Sequence, residues 1–146
     1  MSHMIAFRVA TPDDLAPLLQ MHREFYEEEC YPVDLARSER ALRELLDNSN
    51  LGRIVLIGDA GYFVLAFGFS IEFGGRDAFL DELYVAPHAR NRGLGTAALD
   101  EAERVCREQG IRALHLEVEF INESAKRLYA RRGFDEHTRQ LMTKRF

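Results

Sequence analysis

The fold of this chain is decided by the stretch Asp81-Glu82-Leu83-Tyr84-Val85-Ala86-Pro87 and, two residues later, by Arg90-Asn91-Arg92-Gly93-Leu94-Gly95-Thr96. The first part is an apolar strand that ends at a proline, and the second is a glycine-containing turn that begins a helix. The first amide N–H groups of a helix lack internal partners and lie at the positive end of its dipole, so they stabilise an anion. Glycine lets such a ligand approach the backbone closely, and Arg90 and Arg92 add positive charge. The turn is therefore a candidate pyrophosphate site.

Two better-known phosphate turns do not fit this stretch. A dinucleotide-binding turn needs a third glycine and follows the strand that opens its fold, and both features are missing. A nucleoside-triphosphate loop needs Gly-Lys-Ser/Thr, which is also missing. A pyrophosphate ligand of another kind remains.

The chain after the turn is predicted to alternate between helix and strand. Apolar residues keep helical spacing as far as Gly110, namely Leu94, Ala98, Leu99, Ala102, Val105 and Cys106. Residues 114–120 are predicted as a strand, and the helical crossover makes it parallel to the strand that ends at Val85. A helix over residues 123–132, which ends before Gly133, and a last strand over residues 140–146 follow.

The chain before the turn is predicted to contain a strand, two helices and a meander. The strand covers residues 5–9, and the next stretch, Thr11-Pro12-Asp13-Asp14, combines a capping threonine, an early proline and two acidic residues, all typical of a helix start. A second helix follows Pro32, and antiparallel strands over residues 54–57, 62–71 and 79–85 come next. The order predicts an α/β (α+β) fold with a mixed, mostly antiparallel sheet and helices on both faces.

Composition and charge exclude several other classes of protein. The 146 residues, 47% hydrophobic and 29% charged, are typical of one globular domain, expected over residues 4–146 because Met1-Ser2-His3 resemble a cloning remnant. The net charge of -5 argues against a nucleic-acid partner. The scattered histidines predict no metal site, and two cysteines are too few for a disulfide framework. Since no apolar stretch approaches the roughly 20 residues that span a bilayer, we expect no membrane partner and a cytoplasmic location.

Two motifs resemble those of the GNAT superfamily of acetyl-CoA-dependent N-acetyltransferases. The first is the opening stretch, in which the strand that ends at Pro87 precedes Arg90-x-x-Gly93-x-Gly95. The second is Asn122-x-x-Ala125-x-x-Leu128-Tyr129-x-x-x-Gly133-Phe134. Both lie in the family's order and on the expected elements. The resemblance covers most of the chain but is weaker over the two N-terminal helices, and the tail after Phe134 is short for the family.

The resemblance implies how the cofactor acetyl-CoA is held. Parallel strands in the family splay apart, and the pantetheine arm pairs with the strand edge, here Leu83, Tyr84 and Val85. The pyrophosphate then lies on the turn, on Arg90, Arg92, Gly93, Leu94, Gly95 and Thr96. Asn122 bonds the arm from the opposite side. Lys126 is a more speculative contact for the adenosine end, because a surface lysine on a helix is also expected to be only solvated.

The resemblance also implies catalytic roles. Tyr129 matches the family tyrosine that donates a proton to the leaving thiolate, although its spacing also fits a tyrosine that packs a helix against the sheet. A primary amine such as lysine's has a pKa of about 10.4, so a carboxylate that helps to remove its proton is useful. Asp81 and Glu82 are the candidates, with Glu117 as a third. The side chains of adjacent strand residues point to opposite faces of the sheet, and the sequence does not show which of the two faces the substrate. A bulge would shift this alternation.

Two further predictions concern a backbone N–H at the strand end and a histidine on the first helix. A backbone N–H near Val85 is expected to bind the oxyanion of the tetrahedral intermediate. His22, on the apolar face of the first helix, is interpreted as a packed residue rather than a catalytic one.

Clustered carboxylates and aromatic residues bear on which amine is the acceptor. The stretch Glu27-Glu28-Glu29, with Tyr31 and the carboxylates of Asp81 and Glu82, suits a small diamine or polyamine, but the glutamate run also fits a solvated helix end. Alternatives are a protein N-acetyltransferase and an acetyl-CoA-binding sensor or interaction module without turnover. An exposed edge strand at the C-terminus makes a homodimer an option.

Overall fold

Residues 5–146 are described by a computed structural model, and the interpretation of Met1-Ser2-His3 lies outside them. The helices are α1 (Leu15–Glu28), α2 (Leu35–Asp47), α3 (Leu94–Glu108) and α4 (Glu123–Arg131). The strands are β1 (Phe7–Val9), β2 (Gly52–Ile57), β3 (Gly61–Ser70), β4 (Gly75–Val85) and β5 (Ala113–His115). A short 3-10 turn, Pro12–Asp14, leads into α1 at the predicted helix start.

The strands form one sheet in the order β1-β2-β3-β4-β5. Neighbours from β1 to β4 are antiparallel, and β5 lies parallel to β4. Two strands of one sheet that are joined by a helical crossover run in the same direction. The crossover through α3 therefore accounts for the parallel pair. The predicted mixed, mostly antiparallel sheet is confirmed.

Different helices cover the two faces of the sheet. The α3 face is built from alternate strand residues and the apolar stripe of α3, including Val55, Phe63, Leu65, Ala78, Ala98, Ala102 and Val105. The α1/α2 face contains the other strand residues and the stripes of α1 and α2, including Leu18, Leu42, Ile54, Tyr62, Val64 and Tyr84. Strand side chains alternate between the faces, so one strand supplies both cores.

Two predicted strands are wrong in extent. The strand predicted over residues 114–120 is only β5, which ends at His115, because its partner β4 becomes irregular soon after the paired segment. The strand predicted over residues 140–146 does not form, and those residues are irregular and exposed. Apolar residues permit a strand, but a strand is stable only when a neighbour pairs with its backbone.

Contacts divide the chain into two compact units, Met1–Leu116 and Glu117–Phe146. The first contains the sheet with α1, α2 and α3, and the second contains α4. The single domain over residues 4–146 stays a prediction. Within residues 5–146, every helix is too short or too polar to cross a bilayer.

Candidate active site

A β-bulge in β4 decides which side chains face α1 and α2. Glu82 pairs with Val64, whereas Leu80 pairs with the next residue, Leu65, so Asp81 is an extra residue between them. An inserted residue shifts the alternation of side chains along a strand. Leu80 accordingly packs on the α3 face, whereas Glu82, two residues later, contacts side chains of the α1/α2 face. Without the bulge, both side chains would share the α3 face.

Glu82 is a largely buried carboxylate held by three side chains. Its Oε1 accepts a hydrogen bond from the Tyr62 hydroxyl at 2.6 Å and lies 3.0 Å from Nδ1 of His22. Its Oε2 accepts a hydrogen bond from the Tyr26 hydroxyl at 2.9 Å. The Glu82 side chain is only 13% exposed. A buried charge is tolerated only where hydrogen bonds replace its water, and these contacts supply that replacement.

The surroundings of Glu82 hold its pKa below the ordinary value of 4.5. Burial acts to raise this pKa, but hydrogen bonds from His22, Tyr62 and Tyr26 and the charge of His22 outweigh burial. Burial and the negative charge of Glu82 raise the pKa of Tyr62 and of Tyr26. The carboxylate is therefore ionised at neutral pH and both phenols are protonated, which agrees with the direction of their hydrogen bonds.

His22 belongs to this cluster, so its interpretation as a packed residue is incomplete. It is only 5% exposed, and its ring lies 4.1 Å from that of Tyr26 between centroids. Its Nε2 lies 2.8 Å from Oγ of Ser38 on α2. A polar ring on an apolar stripe was the signal in the sequence, since a buried imidazole needs partners. Those partners are 16 and 60 residues away along the chain, beyond the reach of local spacing.

Asp81 and Glu82, between which the sequence did not choose, lie in different surroundings. Asp81 lies at the bulge and is exposed. Glu82 points among side chains of α1 and β3. We call His22, Tyr26, Ser38, Tyr62 and Glu82 the Glu82 cluster.

Aromatic rings and further carboxylates lie beside the Glu82 cluster near the end of α1. The ring of Phe25 lies 5.7 Å from that of Tyr84, and the ring of Tyr26 lies 5.5 Å from that of Tyr31, between centroids. The Tyr84 hydroxyl lies 3.4 Å from a carboxylate oxygen of Glu24. This region is thus rich in ring faces and negative charge, both of which attract cations.

The predicted phosphate turn forms the beginning of α3. Gly93 is the N-cap residue with φ of 76°, in the left-handed region that favours glycine. A Cβ built at Gly93 or Gly95 would meet nothing within 4 Å, so the space in front of the helix is open. Leu94 is buried, which leaves only its backbone to reach a ligand, whereas Arg92 and Thr96 are exposed. The arrangement fits an anion at the helix start.

Arg90 is engaged with protein groups at the same turn. Its guanidinium lies 2.6 Å from the carboxylate of Glu28, at the end of α1. Its Nε donates to the carbonyl of Val85 at 2.9 Å. The hydrogen bond to Glu28 raises the pKa of Arg90, and the same contact lowers the pKa of Glu28. An anion that binds Arg90 has to compete with Glu28.

One edge of β4 is left open by the sheet. Among the described residues, β5 pairs with β4 only over Asp77–Phe79, so the part of β4 that ends at Val85 has β3 as its one neighbour. The Ala86 amide donates to the Ala60 carbonyl on the β3 side. Backbone groups of alternate residues point to opposite edges, so the amides of Leu83 and Val85 point away from β3. An extended ligand can pair with such an edge.

Two other predicted ligand contacts lie in the unit Glu117–Phe146. Asn122 caps α4, because its side-chain oxygen accepts the Ala125 amide at 3.1 Å, and its side-chain nitrogen is the group left to donate to a ligand. Lys126 lies 3.4 Å from Glu136 and 3.8 Å from Glu123. The lysine is thus engaged in surface ion pairs, which supports the simpler of its two interpretations.

The remaining catalytic candidates also lie in this unit. Tyr129 packs against Phe134, with ring centroids 5.7 Å apart, and burial raises its pKa above the ordinary value of 10.0. Its phenol is therefore protonated at neutral pH, as a proton donor must be. Glu117 is exposed and lies outside any strand.

Comparisons with known proteins agree with the motifs. The acetyltransferase (GNAT) family matches residues 15–134. The uncharacterized N-acetyltransferase YhfO of Bacillus subtilis is 33% identical over 129 residues, which are 85% of this chain and 83% of that protein. An integron cassette protein from the mobile metagenome of Cole Harbour Salt Marsh has 37% identity and a TM-score of 0.83, over 95% of this chain and 89% of its own.

A crystal structure solved with acetyl-CoA has the same fold. It is that of a predicted acetyltransferase from Clostridium acetobutylicum, with 20% identity and a TM-score of 0.78, over 97% of this chain and 96% of its own. At that identity the likeness concerns the fold alone. Since the family match covers most of the chain, the protein belongs to the GNAT family. It is an N-acetyltransferase, and its fold is one that binds acetyl-CoA.

Proposed function

We propose that the protein transfers the acetyl group of acetyl-CoA, by direct attack, to the primary amine of a small cationic acceptor of the diamine or polyamine type. The observation that carries the proposal is the ionised carboxylate of Glu82, which the bulge at Asp81 directs to the α1/α2 face. A fixed negative charge attracts an ammonium group. The net charge of -5 acts in the same direction.

The neighbouring side chains support a cationic acceptor. Tyr26 and Tyr31 have their aromatic rings near the end of α1, where Tyr31 is exposed, and a ring face attracts an ammonium group. Glu24 and Glu28 add negative charge to the same region. A diamine has a second ammonium group, and a second carboxylate would match it.

The residues around the phosphate turn fit acetyl-CoA. The open edge at Leu83 and Val85 suits the pantetheine arm, with Tyr84 between them directed to the core. The amides at the start of α3 and the charge of Arg92 suit the pyrophosphate, and Arg90 joins them when it leaves Glu28. Asn122 and, less strongly, Lys126 are the proposed contacts of the second unit. Bound acetyl-CoA supplies an acetyl group activated as a thioester.

Proton transfer is assigned to three side chains. The acceptor ammonium has three N–H groups and the amide product keeps one, so one proton goes to the leaving sulfur and one to solvent. We assign the first to the Tyr129 hydroxyl, which burial keeps protonated. Glu82 binds the ammonium, and the exposed Asp81 is the carboxylate through which the other proton passes to water. The Val85 amide is the proposed oxyanion donor.

The test is the release of free thiol from acetyl-CoA across an amine panel that contains putrescine, spermidine, thialysine, a monoamine and a peptide with a free N-terminus. Sustained release with the polyamines supports the proposal, and release with the peptide alone indicates a protein N-acetyltransferase. Binding of acetyl-CoA without release for any amine indicates a sensor or interaction module.

A matched pair of variants tests the carboxylate assignment. Glu82→Gln removes the buried charge, and Asp81→Asn removes the neighbouring exposed charge with the same small chemical change. We expect Glu82→Gln to raise KM for the amine about tenfold or more, since it removes a charge from a water-poor site. Asp81→Asn should lower kcat with a smaller change in KM. Equal KM values in the wild type and Glu82→Gln would contradict the assignment. A cytoplasmic location stays a prediction. A homodimer also stays a prediction, but the C-terminal edge strand from which it was argued does not form.

A further inference from the structure

Within residues 5–146, hydrogen bonds to Glu82 occupy all but one of its acceptor positions. An ionised carboxylate offers about four lone pairs, two on each oxygen. On Oε1, one lone pair accepts the Tyr62 hydroxyl and the other is directed to Nδ1 of His22. On Oε2, one accepts the Tyr26 hydroxyl. A single lone pair on Oε2 therefore remains for a ligand.

The ionised state of Glu82 determines the proton arrangement of His22. An ionised carboxylate only accepts, so Nδ1 of His22 has to carry the proton that lies between them. The other ring nitrogen, Nε2, lies 2.8 Å from Oγ of Ser38, a hydroxyl that is able both to donate and to accept a hydrogen bond. Ser38 on α2, His22 on α1 and Glu82 on β4 thus form one chain of hydrogen bonds.

Packing alone is a poor account of His22. The residue lies inside α1 on an apolar face, where leucine has the higher helix propensity and needs no polar partner. Both ring nitrogens are nevertheless placed at hydrogen-bond distance from a side chain of another element. The polar atoms of His22, rather than its volume, distinguish it from the residues around it.

We propose that His22, oriented by Ser38, is a positioning residue of the acetyl-transfer site and holds the Glu82 carboxylate with one Oε2 lone pair open to the acceptor ammonium. This role rests on the proposed function, because it acts through the acceptor site. His22 does not touch the acceptor. It determines which oxygen of Glu82 is available and keeps that oxygen charged.

A pH dependence follows from the groups that face Glu82. These are His22 and Tyr26 from α1, Tyr62 from β3 and, through its charge on Tyr26, Asp81 from β4. Burial raises the pKa of Glu82, and the hydrogen bonds of its neighbours lower it. When the imidazole is removed, fewer hydrogen bonds oppose the effect of burial, so the pKa of Glu82 should rise. The acid limb of kcat/KM for the amine should then move to higher pH, because a protonated Glu82 does not attract an ammonium group.

Two substitutions at His22 separate a positioning role from a packing role. His22→Leu keeps an apolar side chain of good helix propensity and removes the donor to Glu82. His22→Asn leaves a smaller side chain in the core but places an amide N–H close to the position of Nδ1. A packing role predicts that the leucine variant is the more active, and a positioning role predicts the reverse.

The experiment measures thiol release by wild type, His22→Leu, His22→Asn and Ser38→Ala over a range of pH, with thermal unfolding of each. We expect kcat/KM for the amine to fall about tenfold or more in His22→Leu and to recover at least partly in His22→Asn, the size expected when a buried charge loses one partner. KM for acetyl-CoA should be unchanged in all of them. Ser38→Ala should show a smaller loss, and the acid limb of His22→Leu should move to higher pH.

Three results would overturn the assignment. One is a His22→Leu variant at least as active as His22→Asn, and another is a loss that is the same at every pH and matches the loss of folded protein. The third is an absence of thiol release by the wild type with every amine, which also overturns the proposed function. Release by the wild type with unchanged activity in His22→Leu removes the role of His22 and leaves the proposed function intact.

Discussion

Arg90 and Glu28 form an ion pair, with 2.6 Å between guanidinium nitrogen and carboxylate oxygen, that joins the phosphate turn to the end of α1. Arg90 also donates to the Val85 carbonyl at the end of β4. One side chain therefore connects the segment proposed to bind the donor with the segment proposed to bind the acceptor. A pyrophosphate that takes Arg90 would release the Glu28 carboxylate on the acceptor side.

The first prediction concerns this competition. Glu28→Gln should lower the Kd for coenzyme A about two- to threefold at low salt, because Arg90 loses a competing anion that is itself exposed and weakly bound. Arg90→Gln should raise the same Kd. Isothermal titration calorimetry measures both. The control is Glu108→Gln, which removes an ion pair with Arg104 near the other end of α3 and should leave the Kd unchanged. Weaker binding in Glu28→Gln would show that the ion pair orders Arg90 for the ligand instead.

A second prediction compares glycines at the two ends of α3. Gly93 and Gly110 have positive φ of 76° and 69°, and a Cβ at either would meet nothing within 4 Å. Alanine at each should therefore cost about 1 kcal/mol of folding stability through the left-handed backbone alone. Only Gly93→Ala should also weaken binding of coenzyme A, because only Gly93 lies at the proposed pyrophosphate site. Urea unfolding measures the folding stability of each variant, and isothermal titration calorimetry measures its Kd for coenzyme A. A similar loss of affinity in both variants would assign the effect to stability.

A third prediction tests Tyr129 as the proton donor. Tyr129→Phe keeps the ring that packs against Phe134 and removes the hydroxyl. If the phenol protonates the leaving sulfur, kcat should fall about a hundredfold with KM for both substrates little changed. Because burial raises the pKa of Tyr129, the wild type should show no loss of kcat from this group up to about pH 9. A kcat within a factor of about two of the wild type would mean that the ring only packs.

A fourth prediction concerns stability in acid. The pKa of Glu82 is lowered in the folded protein, so its contribution to folding is present above the ordinary value of 4.5 and is lost as the pH falls through the folded value. Glu82→Gln should thus be less stable than the wild type by about 1 to 3 kcal/mol near neutrality, because two phenols and His22 lose an ionised acceptor. The difference between the two proteins should shrink as the pH falls below 4.5.

Urea unfolding of the wild type and Glu82→Gln at a series of pH values checks this prediction. The comparison of the two proteins is needed because other carboxylates titrate in the same region. Asp14, for example, has its pKa lowered to about 2, mainly by the hydrogen bond from Arg8. A difference in stability that is constant with pH would show that Glu82 has the same pKa in the folded and unfolded chains.

A fifth prediction distinguishes the two thiols. Cys30 is exposed, and Cys106 is buried on the α3 face, where burial raises its pKa to about 11. The thiolate is the reactive form, so a disulfide reagent at about pH 8 should modify one cysteine in the native protein and both in urea. Cys30→Ser should abolish the native reaction. Rapid modification of both thiols in the native protein would contradict the packing of α3.

Local sequence was sufficient for the helix starts and for the crossover, but not for the extent of the strands that follow it. Helix starts and the glycine turn depend on neighbouring residues, and so the beginning of α3 and the crossover to a parallel strand were predicted from residues 81–114 alone. The strands over residues 114–120 and 140–146 were overpredicted, because the sequence of a segment does not reveal whether a neighbouring strand has an edge free to pair with it. His22 was assigned to packing for the same reason, since its two partners are distant in sequence.

The sequence by itself determined the family, the glycine turn that begins α3 and the pair of carboxylates from which the acceptor site is proposed to draw its charge. Only the tertiary structure showed that Glu82 lies among side chains of the α1/α2 face, because Asp81 is an extra residue in the pairing of β4 with β3. It also showed that Arg90 is engaged with Glu28 and that His22 contacts Glu82. The physical reason is common to all three. The direction of a strand side chain and the partner of a charge depend on register and packing between segments that are far apart in the chain. Local sequence propensity does not determine that register or that packing.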